Sequence, residues 1–143
     1  MKFLMAALFT FTASWSLAST TLKLSGSLNK KYSLSGIVSR VDERKAEYHG
    51  AIAVIDSSSR TVFSSPITLK AKEKRGNLYV NFVFEWGFYA YDFYFNTMQF
   101  PPRQNELLSG VAHLSHWETD MDGIPYPVND GSVPAELTVT FLE

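Results

Sequence analysis

The sequence predicts an all-β protein, a single antiparallel domain of about eight strands, either barrel-like or a two-sheet sandwich, behind a cleaved signal peptide. Three observations predict this. Apolar and polar residues alternate with period two through most of the chain beyond residue 18. Turn residues separate the alternating runs, and no segment shows a persuasive helical period. The first 18 residues have the zoned composition of an export signal.

The signal comes first in order. Lys2 supplies the positive start, Phe3 to Trp15 is an apolar run, and Ser16-Leu17-Ala18 places small residues at a cleavage site after Ala18. The run is shorter than the roughly 20 residues a membrane helix needs. Residues 1–18 are therefore read as the signal peptide and 19–143 as the β domain. The chain has no Cys, which excludes lipid attachment after the signal and any disulfide framework. A secreted or periplasmic location follows as the expectation.

In the domain, Leu22, Leu24 and Leu28 share one face, as do Tyr32, Leu34 and Val38, and then Tyr48, Ile52 and Val54. The same alternation continues through Ile67, Leu69 and Ala71, then Leu78, Val80, Phe82 and Phe84, then Tyr89, Tyr91, Phe93 and Phe95. Leu108, Ala112 and Leu114 form the seventh set, and Leu137, Val139 and Phe141 the eighth. Gly76-Asn77 and Trp86-Gly87 mark tight reversals. Leu24-Ser25-Gly26, Leu34-Ser35-Gly36 and Leu108-Ser109-Gly110 place glycine inside strands, which favours a curved, closed sheet. Phe82, Phe84, Phe93 and Phe95 are the predicted heart of the core. Pro101-Pro102 makes residues 100–106 an extended connection. Prolines and glycines make Trp117 to Pro134 read as a long loop, and loops of that length are often functional.

Composition narrows the function. Loss of Lys2 takes the formal charge from −1 to −2, and this near-neutral balance argues against nucleic acid as a partner. Hydrophobic residues make up 45% of the chain, enough for a packed core. There is no nucleophile elbow, no phosphate-binding glycine loop and no reactive thiol. The leading reading is an exported, non-catalytic binding or structural domain for an apolar ligand, a glycan or a protein partner. One alternative is a small eight-stranded outer-membrane barrel, since a barrel can turn its apolar face outward to lipid. The other is a metal-dependent enzyme or calcium-binding domain using residues 113–130.

The candidate site residues follow from these readings. Trp117 and Tyr126, the aromatics of the long loop, and Phe88 and Tyr94, because rings on both faces of residues 82–95 exceed what one core can use, are the predicted ligand or partner surface. Glu118, Asp120 and Asp122 alternate ahead of Gly123, as hard-cation ligands do, and Asp130 lies nearby, so these four are the candidate calcium ligands. His113, His116 and Glu118 are spaced for zinc or copper, but a continuing strand would turn His113 away from the other two. Asp92, amid aromatic residues, is the one candidate acid, and alternation places it on the less apolar face. Lys70, Lys72, Lys74 and Arg75 read as a solvent-facing strand edge.

Overall fold

A computed structural model describes residues 21–142, so the predicted signal peptide lies outside the described residues. The strands are β1 (Thr21–Leu28), β2 (Tyr32–Ser39), β3 (Glu47–Ile55), β4 (Thr61–Lys74), β5 (Asn77–Trp86), β6 (Tyr89–Asn96), β7 (Leu107–Thr119) and β8 (Pro125–Leu142). Each pairs antiparallel with its neighbour in sequence. β1 pairs with β8 from Thr21↔Leu142 to Leu28↔Ala135 and closes the wall. Of the two predicted architectures, the protein adopts the barrel.

Closure requires the wall to bend, and glycine makes room for it. A Cβ on Gly26 would strike the Glu136 carbonyl, and one on Gly110 would strike the Tyr94 carbonyl. Both positions belong to the Leu-Ser-Gly phrases, so the predicted link between these glycines and curvature holds.

The inward residues are those the alternation selects. Leu22, Leu24, Val80, Leu137 and Val139 are fully buried. Phe82, Phe84, Phe93 and Phe95 are buried as predicted, on paired strands where Phe82 faces Phe93 at 4.6 Å between ring centres. In a barrel of this strand number the interior is just wide enough to be filled by side chains, and here large apolar groups fill it. Outward positions carry Lys23, Ser25, Ser33, Lys70, Glu85, Ser109, Glu136 and Thr138.

The reversals follow turn chemistry. Arg75 and Gly76 both have positive φ and join β4 to β5, while Asn77 already belongs to β5. Gly87, with φ 63°, is the first central residue of the β5–β6 turn, a position where glycine is preferred. The basic row needs correction, because a closed barrel gives Lys70, Lys72 and Lys74 no sheet edge to protect. They point outward from β4, and the ammonium groups of Lys72 and Lys74 lie 5.5 and 5.3 Å from the Tyr94 ring centre. Ala71, assigned to the core by alternation, is exposed near the end of β4.

The predicted loop from Trp117 to Pro134 is overturned. β7 runs to Thr119 and β8 starts at Pro125, with Trp117↔Pro127 and Thr119↔Pro125 in register. Only residues 120–124 form a turn. The prolines are tolerated because residues 125–134 pair with β7 alone; β1 joins β8 only from Ala135 onward. A missing N–H does no harm on an unpaired side. The hairpin therefore projects past the rim of the barrel, with a register shift at Leu114/Ser115.

Candidate functional site

The connections at one end of the barrel are β1–β2, β3–β4, β5–β6 and β7–β8, and two of them build the candidate site. In the β5–β6 reversal, Trp86 pairs with Tyr89, so Phe88 occupies the turn itself with no neighbouring strand to cover it. It is 74% exposed. The projecting β7–β8 hairpin stands beside this turn, and the Trp117 N–H donates to the Phe88 carbonyl at 3.0 Å. That bond ties the two hairpins together at this end of the barrel. Trp86, Tyr89, Trp117, Tyr126, Met121 and Ile124 are also exposed there.

Ordered rings lie beneath these residues. Phe63 of β4 stacks on Trp86 at 4.7 Å with planes 6° apart, and meets Phe84 edge-on at 5.1 Å. Tyr91 packs 4.9 Å from Phe84. Burial, with Tyr32 and Tyr89 nearby, raises the Tyr91 phenol above its ordinary range. The surface rings thus stand on a packed floor.

The electrostatic centre is His116. Its Nδ1 lies 2.6 Å from Asp130 Oδ2 and its Nε2 lies 3.0 Å from Glu118 Oε2. A neutral imidazole has one N–H, whereas two carboxylates need two donors, so the arrangement favours the imidazolium. The hydrogen bonds to Asp130 and Glu118 raise its pKa accordingly. The Tyr89 ring lies 5.9 Å away.

Sequence pattern and space differ for the carboxylates. Asp120 Oδ1 accepts the N–H groups of Asp122 and Ile124 at 2.8 and 2.9 Å, closing the turn in which Gly123 takes φ 81°. Glu118 and Asp130 meet at His116, but on opposite ring nitrogens whose lone-pair directions diverge. Among the described residues no group of three or more His, Cys, Asp or Glu is arranged to hold a metal ion. His113 faces the outer wall, as a continuing strand requires, and shares a 2.7 Å hydrogen bond with Ser132 Oγ.

Of the four residues predicted for a ligand surface, Phe88, Trp117 and Tyr126 are exposed at this end of the barrel, with Trp117 and Tyr126 on opposite faces of the hairpin because they pair with Pro127 and Glu118 respectively. Tyr94 lies elsewhere. It is only 8% exposed on the outer wall, covered by the two lysine stems, Tyr79 and His113. Asp92, on the same wall, accepts a 2.7 Å hydrogen bond from Asn81 Nδ2. An open groove of about 400 Å³ lies nearby, lined by His49, Pro66, Thr68, Lys70, Asn81 and Val83. The β4–β5 register runs only from Lys70↔Asn81 to Lys74↔Asn77, so this groove lies where that pairing ends. Sequence reading missed Trp86, Tyr89, Met121 and Ile124. The available signal was their placement beside Gly87 and Gly123, since residues flanking a tight turn emerge beyond the rim whichever way alternation points them.

No family model and no curated protein matches the chain. Fold and site together define the class as a closed, up-and-down antiparallel barrel with a filled interior and one ring-lined, open end.

Proposed function

We propose that this protein is an exported, non-catalytic binding domain whose contact surface is the end formed by the β5–β6 turn and the β7–β8 hairpin. One observation carries the reading. Exposed Trp86, Phe88, Tyr89, Trp117 and Tyr126 gather on two hairpins tied by the Trp117–Phe88 backbone bond. Clustered exposed aromatic residues at a projecting end suit a contact role, since Trp and Tyr dominate the energetics of contact.

A spanning barrel is less well supported, because it needs an apolar outer band. Here the apolar face points inward and the wall carries lysine, glutamate and hydroxyl groups. An apolar ligand held inside the barrel would have to displace the core rings. The end surface needs no such rearrangement.

The test is site-specific photo-cross-linking in producing cells. A photoreactive residue at Phe88 should give a discrete adduct, and the same residue at Lys72 should not. Trp117→Ala with Tyr126→Ala should abolish the adduct while leaving the thermal midpoint nearly unchanged. Equal labelling from both positions, or none from Phe88, sinks the reading. N-terminal sequencing of the exported chain should begin near Ser19, and a chain still carrying Met1 removes the export part.

A further inference from the structure

From the charge carried by the projecting hairpin we infer that the partner surface docked there is cationic: an arginine- or lysine-rich polypeptide segment. This rests on the reading of that end as a contact surface and specifies its partner. Residues 117–130 contain Glu118, Asp120, Asp122 and Asp130 and no Lys or Arg. The remaining described residues carry more bases than acids. Negative charge is therefore concentrated where the exposed rings are. Lys30 and Lys31 lie at the foot of the hairpin, where the Asn29 N–H donates to the Pro134 carbonyl, and not along its projecting part.

The two features suit one occupant. A guanidinium or ammonium group is attracted to the face of Trp or Tyr and pairs with carboxylates in the same approach. Arginine serves best, because its planar head can stack and donate two parallel hydrogen bonds. An apolar partner would leave the Asp122 and Glu118 carboxylates against an uncharged surface, and an anionic one would be repelled. The imidazolium of His116 offsets part of the charge of Glu118 and Asp130. Asp120 is held by its own turn. The Asp122 carboxylate and Glu118 Oε1 are thus the chief contacts.

The chain suits a direct measurement. It has three tryptophans, and since Trp15 falls within the predicted signal peptide, the mature chain starting near Ser19 retains only Trp86 and Trp117, both at this end. Their fluorescence is titrated with an octa-arginine peptide and, separately, with octa-glutamate. A saturable change is expected with octa-arginine alone, about tenfold weaker at high salt than at low salt because exposed charges are screened. Glu118→Gln with Asp122→Asn should weaken it by about tenfold or more with the thermal midpoint retained. Phe88→Ala should weaken it as well, while Lys72→Gln on the wall should have no effect. An equal response to both peptides overturns the charge argument, and an unchanged affinity in Phe88→Ala overturns the part assigned to the rings. No response to octa-arginine, with the Phe88 cross-link intact, overturns the cationic partner and leaves the contact surface standing; loss of both removes both. Sedimentation provides the remaining arm. Self-association that Glu118→Gln with Asp122→Asn abolishes would make the partner a second copy of this chain and overturn the foreign segment.

Discussion

At the end formed by the β6–β7 connection, the chain covers its own core; at the opposite end it leaves Trp86, Phe88, Tyr89, Trp117 and Tyr126 in water. The covered end is sealed by residues 97–106. Phe100 meets Tyr48 edge-on at 6.1 Å and Pro102 is buried. The cover is pinned to β8. The Asn105 N–H donates to the Val139 carbonyl at 2.9 Å, and Gln104 Oε1 accepts the Phe141 N–H at 2.7 Å. The covered-end connections carry Arg40, Arg44, Lys45, Arg75 and Arg103 beside Asp42, Glu43 and Glu106; at the open end Lys30, Lys31 and Arg60 lie in the β1–β2 and β3–β4 connections, while the projecting hairpin carries acids without Lys or Arg. Any barrel must shield the rings and aliphatic groups at its two mouths. One mouth is shielded by a loop laid across it, the other by a stack of rings whose outermost members remain free to meet something else.

The contrast can be broken most forcefully beneath the open end. Phe84 is 1% exposed and supports both Phe63 and Tyr91. Phe84→Ala should destabilise the protein by about 3–5 kcal/mol, the range for deleting a buried ring. Chemical denaturation measures this, and an unchanged midpoint would mean that the ring stack is not a floor.

A smaller effect distinguishes the two mouths directly. Phe100→Ala removes a half-buried ring that packs on the core, at a cost of about 1–3 kcal/mol. Phe88→Ala removes a ring of similar size with nothing over it and should stay within about 0.5 kcal/mol. If the two variants lose equal stability, the distinction between a sealed and an open mouth fails.

The smallest effect depends on pH. The folded pKa of His116 is raised above 6.5 by Asp130 and Glu118. The bridge is therefore fully present below 6.5 and is lost as pH rises through the raised value. Solvent screening keeps its contribution small. An NMR titration should place the His116 midpoint above 6.5, and Asp130→Asn should lower it. A midpoint at or below 6.5 would show that the two carboxylates do not hold the ring.

Much of this was legible in the residues alone. Period-two alternation identified all eight strands and the phenylalanine core, because a side chain on a strand has only two directions and burial rewards one. The in-strand glycines pointed to closure, since a bent wall leaves no room for a Cβ beside a neighbouring carbonyl. The functional end was legible only in part. Phe88 and Tyr94 stood out as surplus rings, and Trp117 and Tyr126 as aromatics of a segment read as a loop. The burial of Tyr94 under Lys72 and Lys74 depends on which strand lies beside β6 and how far those stems reach, and alternation carries no such information.

The β7–β8 hairpin shows where the boundary lies. Three prolines and two glycines between residues 117 and 134 argue locally for a loop, because proline cannot donate to a ladder. Whether a missing donor matters depends on whether another strand lies on that side. The sequence by itself determined which residues could face inward, where the reversals at Gly76 and Gly87 fall and where negative charge is concentrated, since each follows from local geometry or composition. The tertiary structure alone decided that residues 125–134 are paired on one side only, that the hairpin therefore projects past the rim, and that Trp117 meets Phe88. These are contacts between distant segments, set by barrel closure and the register of neighbouring strands.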